Sequence, residues 1–159
     1  MIHLVVCGHG EFATGLRSGV QALGKDFSFC EFINFKKEMS AGQLREALDN
    51  AVDHAGDTPV LFLIDILSGT PFRECVMIAE EGRRQIEVVS GVNLQMLLAA
   101  AAQFQETDDP HELAADLINN TRDGITILSK RMVKQSSAEL EIEVEEVNSE
   151  KAEEDHGTD

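Results

Sequence analysis

Residues 60–64, Val-Leu-Phe-Leu-Ile, carry no polar side chain on either face. A strand apolar on both sides must be covered on both sides, which is the condition of a buried parallel strand. Similar short runs occupy residues 2–7, 27–35 and 86–89. Between them lie stretches whose apolar residues recur three or four apart, the period of an amphipathic helix. Leu16, Val20 and Leu23 mark the first, stopped at Gly24. Leu44, Leu48 and Val52 mark the second, opened by a Ser40/Gln43 capping box and ended at Gly56. Thr70 and Pro71 read as the N-cap and first position of a third, closed by Gly82. Asn93 caps a fourth over 94–104, and Asp109, Pro110 and Glu112 open a fifth that runs to about residue 128. Strands alternating with helices predict one doubly wound α/β domain with a mainly parallel sheet. The strand order expected for so small a sheet is 2-1-3-4, which opens a crevice at the carboxyl tips of the first and third strands.

The chain has 159 residues, which suits one domain over 1–130, an extension over 131–147 and a disordered acidic tail over 148–159. Its formal net charge is -16, and from Ser136 onward there are ten acidic residues against one basic. Such a surface repels nucleic acid and anionic membrane and suits a basic protein partner or simple solubility. Residues 139–145 alternate glutamate with Leu140, Ile142 and Val144, which reads either as an edge strand or as an acidic tail. No apolar run spans a bilayer and no basic-then-apolar leader is seen, so a cytoplasmic location is expected. Cys7, Cys30 and Cys75 are odd in number and lie in apolar segments, which suits small buried side chains rather than disulfides.

Chemistry concentrates at the two central tips. His9 lies between Gly8 and Gly10 at the end of the first run, and Asp65 ends the third. A neutral imidazole is a nitrogen nucleophile near neutral pH. A carboxylate bonded to one ring nitrogen fixes the tautomer and aims the other nitrogen outward. The competing role for Asp65 is a helix or loop cap. Gly10, Ser68, Gly69 and Thr70 supply amides and hydroxyls at helix starts, where anions bind. Thr70 also has the plainer role of an N-cap. Phe12, Leu67 and Phe72 would surround the crevice, or lie in the core. No phosphate-binding GxxxxGK[ST] loop and no GxGxxG turn occurs, and the remaining histidines (His3, His54, His111 and His156) have no metal-ligand spacing, so no cofactor and no metal are expected.

Three stretches occur in order: Gly8-His9-Gly10-Glu11-Phe12-Ala13, then Phe62-Leu63-Ile64-Asp65-Ile66-Leu67-Ser68-Gly69-Thr70-Pro71-Phe72, then Ser90-Gly91-Val92-Asn93-Leu94-Gln95-Met96-Leu97. Together they resemble the IIA component of the mannose family of bacterial sugar phosphotransferase systems, over roughly residues 1–130. The resemblance implies a homodimer in which His9 accepts a phosphoryl group from the carrier HPr. It then passes that group to a separate IIB component, which serves a membrane permease. It implies Asp65 as the orienting partner, Thr70 as a phosphate contact, and a C-terminal strand exchanged between subunits. Two other readings keep the fold: a phosphoryl donor to a dihydroxyacetone kinase, and a non-catalytic regulator switched by phosphorylation of His9.

Overall fold

The computed structural model describes residues 1–25 and 27–129. Residues 1–122 form one compact unit, and a second unit begins at Asp123. The expected extension, its alternating strand and the acidic tail lie outside the described residues.

The first unit alternates strand and helix: β1 (His3–His9), α1 (Phe12–Ala22), β2 (Cys30–Phe35), α2 (Ala41–His54), β3 (Val60–Ile64), α3 (Thr70–Glu80), β4 (Ile86–Ser90) and α4 (Leu94–Gln103), with α5 (Pro110–Gly124) following. The sheet is parallel throughout, in the order β2-β1-β3-β4. Fold class and strand order are those expected from the sequence.

The two-residue pleat sorts each central strand between two cores. Leu4 and Val6 of β1 and Leu61 and Leu63 of β3 face one side, where they join Ala13 and Val20 of α1, Leu97 of α4, and Leu113 and Leu117 of α5. Val5, Cys7, Val60, Phe62 and Ile64 face the other, against Leu44 and Leu48 of α2 and Cys75 and Ile78 of α3. All five residues of β3 are buried. That two-sided burial is why the run holds no polar residue.

Local signals set most of the ends. Ser40 and Gln43 form the reciprocal capping box at α2, and Asn93 Oδ1 accepts from the Met96 amide at 2.9 Å. Of the boundaries that differ from the sequence reading, three have a clear physical cause, while β1, read as 2–7, extends to His9. The second strand begins at Cys30, not at residue 27, because Phe27 (buried) and Phe29 (half-buried) are covered by aromatic packing rather than by the ladder. Phe29 stacks on Phe104 with centroids 4.1 Å apart, and the Cys30 amide closes a turn onto Phe27 O. Helix α5 ends at Gly124, where Ile125, Thr126 and Ile127 follow. A glycine followed by β-branched residues is a poor continuation of a helix. At α3 the N-cap is Gly69, with Thr70 the first helical residue. Gly69 has φ +113°, a conformation that threonine does not adopt.

Helix α2 is tied to the end of α3 by a charged cluster. Arg45 Nε lies 2.8 Å from Asp49 Oδ2, and Arg45 also pairs with Glu81. Arg83 pairs with Asp49, and its Nε lies 3.0 Å from Glu81 Oε2. Burial would by itself raise the Asp49 carboxyl, but the hydrogen bonds from Arg45 and Arg83 outweigh it and hold that carboxyl below its ordinary value. A depressed carboxyl stabilises the fold above its unfolded value and loses that contribution as pH falls through its folded value. Asp49→Ala is therefore expected to cost about 1 kcal/mol at neutral pH. Chemical denaturation at a series of pH values should show wild type and variant converging below the ordinary carboxylate range.

Candidate functional site

The central crevice is built by β1 and β3, whose register pairs Cys7 with Ile64. The chain then continues to Gly8 and His9 on one side and to Asp65 on the other, and the Asp65 amide donates to Cys7 O at 3.3 Å. A side chain on Gly8 would fill the gap between them. A β-carbon there would lie 2.5 Å from Phe12 Cδ1 and 2.9 Å from Asp65 Cγ. With only hydrogen at Gly8, Asp65 crosses to His9.

One carboxylate oxygen does most of the holding. Asp65 Oδ2 accepts from the His9 backbone amide at 2.8 Å and lies 2.8 Å from His9 Nδ1. Its partner Oδ1 accepts from the Ile66 amide at 2.9 Å. The Asp65 side chain is 9% exposed, whereas that of His9 is 43% exposed. The acid is thus anchored while the ring reaches solvent. The tautomer that satisfies both partners carries its proton on Nδ1 and leaves the Nε2 lone pair unprotonated.

The ring is hemmed on two further sides. Phe35, at the tip of β2, meets it edge-on with centroids 5.7 Å apart. Gly69 approaches the Cε1–Nε2 edge, since a β-carbon there would lie 3.0 Å from His9 Cε1 and 3.2 Å from Nε2. The Gly10 amide ties the loop after His9 to Phe35 O at 2.9 Å, with Gly10 at φ +60°.

The first backbone bond of α3 runs from Arg73 N to Gly69 O, so the Thr70 and Phe72 amides precede the hydrogen-bonded ladder. Pro71 has no amide hydrogen to offer. Ser68 is exposed and Thr70 half-buried on this loop. The expected residues Gly10, Ser68, Gly69 and Thr70 therefore lie on two loops that border the crevice.

The thiol beneath the site is no rival nucleophile. Cys7 is buried and free. Burial, reinforced by the Asp65 charge, pushes its thiol up to about 12, so the reactive thiolate is absent near neutral pH.

Of the apolar residues expected around the crevice, Leu67 is strongly exposed, and its neighbour Ile66, which was not among them, is half-exposed. Phe12 and Phe72 instead pack against the two cores. Not foreseen was the tip of β2, where Asn34, Phe35 and Lys36 reach towards the loop carrying His9. The rule that picked out His9 and Asp65, a polar residue at the carboxyl tip of an apolar run, also points to Asn34.

A cleft of about 350 Å³ lies at the opposite, amino-terminal edge of the sheet, lined by His3, Phe29, Glu31, His54 and Phe104 among others. The paired imidazole and acid lie instead at the carboxyl edge. Among the described residues no group of three or more His, Cys, Asp or Glu is placed to hold a metal ion, and no helix is long and apolar enough to cross a membrane.

Gly69 and Gly15 make a matched pair for testing the loop. Gly69→Ala should cost about 1–3 kcal/mol, because alanine strains at that φ and meets the His9 ring. Gly15→Ala, exposed on α1 with open space around it, should stabilise by up to about 1 kcal/mol. Thermal melts should move in opposite directions.

The chain as a whole has known relatives. Residues 3–118 match the family described as the PTS (phosphotransferase) system fructose IIA component. The fructose-specific EIIA component of Bacillus subtilis is 31% identical over 124 residues, covering 77% of this chain and 80% of that protein. The mannose-specific EIIAB component of Escherichia coli K12 is 28% identical over 139 residues, and the aligned part makes up 86% of this chain but 42% of that protein. The crystal structure of the phosphotransferase system component EIIA from Streptococcus agalactiae superposes with a TM-score of 0.76 at 30% identity, covering 82% of this chain and 99% of that one. The chain belongs to the fructose/mannose IIA family of the sugar phosphotransferase system.

Proposed function

We propose that the chain is a phosphoryl relay in which His9 carries the phosphoryl group, taking it from HPr and giving it to a IIB component. The observation that carries this reading is the 2.8 Å contact between His9 Nδ1 and Asp65 Oδ2, made from a buried acid to an exposed ring. Family membership supports the relay in general; the residue and the two partners are our assignment.

The chemistry follows from that contact. The Nε2 lone pair attacks the phosphorus of the donor's phosphohistidine, and a new N–P bond forms. The donor's N–P bond breaks, and its electron pair stays on the donor imidazole. Such transfers pass through a loose transition state, so positioning and charge stabilisation carry most of the rate. Asp65 sets the ring's direction and stabilises the positive charge that the ring gains on attack. The Thr70 amide and the hydroxyls of Ser68 and Thr70 would hold the phosphoryl oxygens, whereas the Gly10 amide is spent on Phe35 O and holds the loop instead. The second transfer runs the same steps in reverse, with an acceptor nitrogen on IIB attacking the phosphorus and Nε2 leaving. The chain aligns with 42% of the EIIAB relative, and the IIB component is in this proposal the link to a membrane permease. A homodimer acting in the cytoplasm completes the proposal, with the exposed Ile125, Ile127 and Leu128 as apolar surface for a second copy to cover.

The test is mass spectrometry after incubation with phosphoenolpyruvate, enzyme I and HPr. One phosphoryl group on His9 is expected, and none in His9→Ala; persistent labelling of that variant rejects the assignment. Asp65→Asn keeps the size of the side chain but removes its charge, and should slow labelling by about 100-fold or more, the usual scale for a group that positions and stabilises charge in a transition state. Chasing the label with purified IIB should empty His9. A label that leaves only onto a dihydroxyacetone kinase, or onto no protein, would reject the relay to IIB.

A further inference from the structure

The tip of β2 reaches the first turn of α1 in an unusual way. Glu11 is the N-cap residue of α1, yet its side chain makes no cap bond to its own helix. Asn34 Oδ1, from the neighbouring strand, accepts from the Thr14 amide at 3.2 Å instead. The Asn34 Nδ2 group then lies 2.8 Å from Glu11 Oε2 and 2.8 Å from Thr14 Oγ1. Thr14 Oγ1 donates to Glu11 Oε2 at 3.0 Å, and Lys36 Nζ lies 3.2 Å from Glu11 Oε1. The Thr14 hydroxyl and the Lys36 ammonium hold the Glu11 carboxyl below its usual range, so it stays ionised.

Glu11 is two residues from His9, in a chain whose net charge is -16. A carboxylate free to turn towards the mouth of the crevice would repel an incoming phosphoryl group, which is itself anionic. It would also compete with the phosphoryl oxygens for the first amides of α1, which attract anions. Asn34 takes the Thr14 amide in place of the carboxylate, so that a neutral group and not a charge caps that turn, and Lys36 pairs with the charge.

We propose that Asn34 and Lys36 are positioning residues that hold and neutralise Glu11, so that its charge does not oppose phosphoryl transfer to His9. The inference rests on His9 being the acceptor. Asp65, the other acid at the crevice, is engaged separately through its bonds to His9 and Ile66.

The test compares initial rates of His9 phosphorylation in wild type, Lys36→Gln, Asn34→Ala, and each of these combined with Glu11→Gln. Two donors are used: phospho-HPr and the small compound phosphoramidate. Thermal melts check that each variant is folded. Lys36→Gln should be about two- to five-fold slower with both donors, the scale of an exposed ion pair, and the defect should shrink at high salt. Adding Glu11→Gln should restore the wild-type rate to both slowed variants. A structural role for Asn34 or Lys36 would not be rescued in this way, because the lost contacts stay lost. Wild-type rates in Lys36→Gln, a defect that persists in the double variants, or slowing with phospho-HPr alone would each overturn the proposal. If phosphoramidate labels His9 but phospho-HPr does not, the HPr relay falls while the phosphoramidate rates still judge the clamp. If neither labels His9, both fall.

Discussion

A single oxygen, Asp65 Oδ2, bonds both the backbone and the ring of His9. That double contact depends on nearly everything beneath it. The acid must be held in place, which the Ile66 amide and burial achieve. The two strand tips must be neighbours, which requires the chain to place β3 beside β1 and not beyond β2. The gap between the tips must be empty, which Gly8 ensures. A buried carboxylate without such partners would be costly. Here three donors surround it, and its charge is directed at the ring.

The same economy explains the flanking loops. Phe35 and Gly69 both come close to the imidazole. The phenyl edge supplies a contact without a proton, and the glycine supplies nearness without bulk. Gly69 also opens α3, so one residue both crowds the ring and brings the start of a helix up to it. The ring is 43% exposed while the acid side chain that holds it is only 9% exposed. This suits the relay proposed above, in which two macromolecular partners in turn would bring a reacting nitrogen to the same phosphorus.

Electrostatics add a second level. An acidic chain that handles an anionic group has to manage its own charge near the reacting atoms. Around α1 it does so with short-range pairing: Lys36 on Glu11, with Asn34 replacing the carboxylate as a cap. Further down, the Arg45–Asp49–Arg83–Glu81 cluster does structural work, binding α2 to the turn after α3. The two networks use the same residue types for different ends, and their distance from His9 along the chain separates them.

Much was legible in the residues alone. The two-faced apolarity of Val60–Ile64 demanded cover on both sides, and the alternation with helical periods demanded a parallel sheet. His9 and Asp65 were polar interruptions at strand ends, so local chemistry already singled them out. The ends of β2 and α3 were harder. Phe27 and Phe29 look like strand residues in one dimension because burial by stacking and burial by a ladder leave the same apolar signature. Thr70 looks like an N-cap because its hydroxyl suits one, whereas the turn needed a backbone angle that only glycine accepts. The sequence by itself determined the element types, the two cores and the paired acid and imidazole. Only the tertiary structure decided which nitrogen of His9 faces Asp65, that Asn34 caps a helix it does not belong to, and that Gly69 touches the ring. Those facts depend on distances between segments far apart in the chain, and such distances are set by packing, which no local pattern encodes.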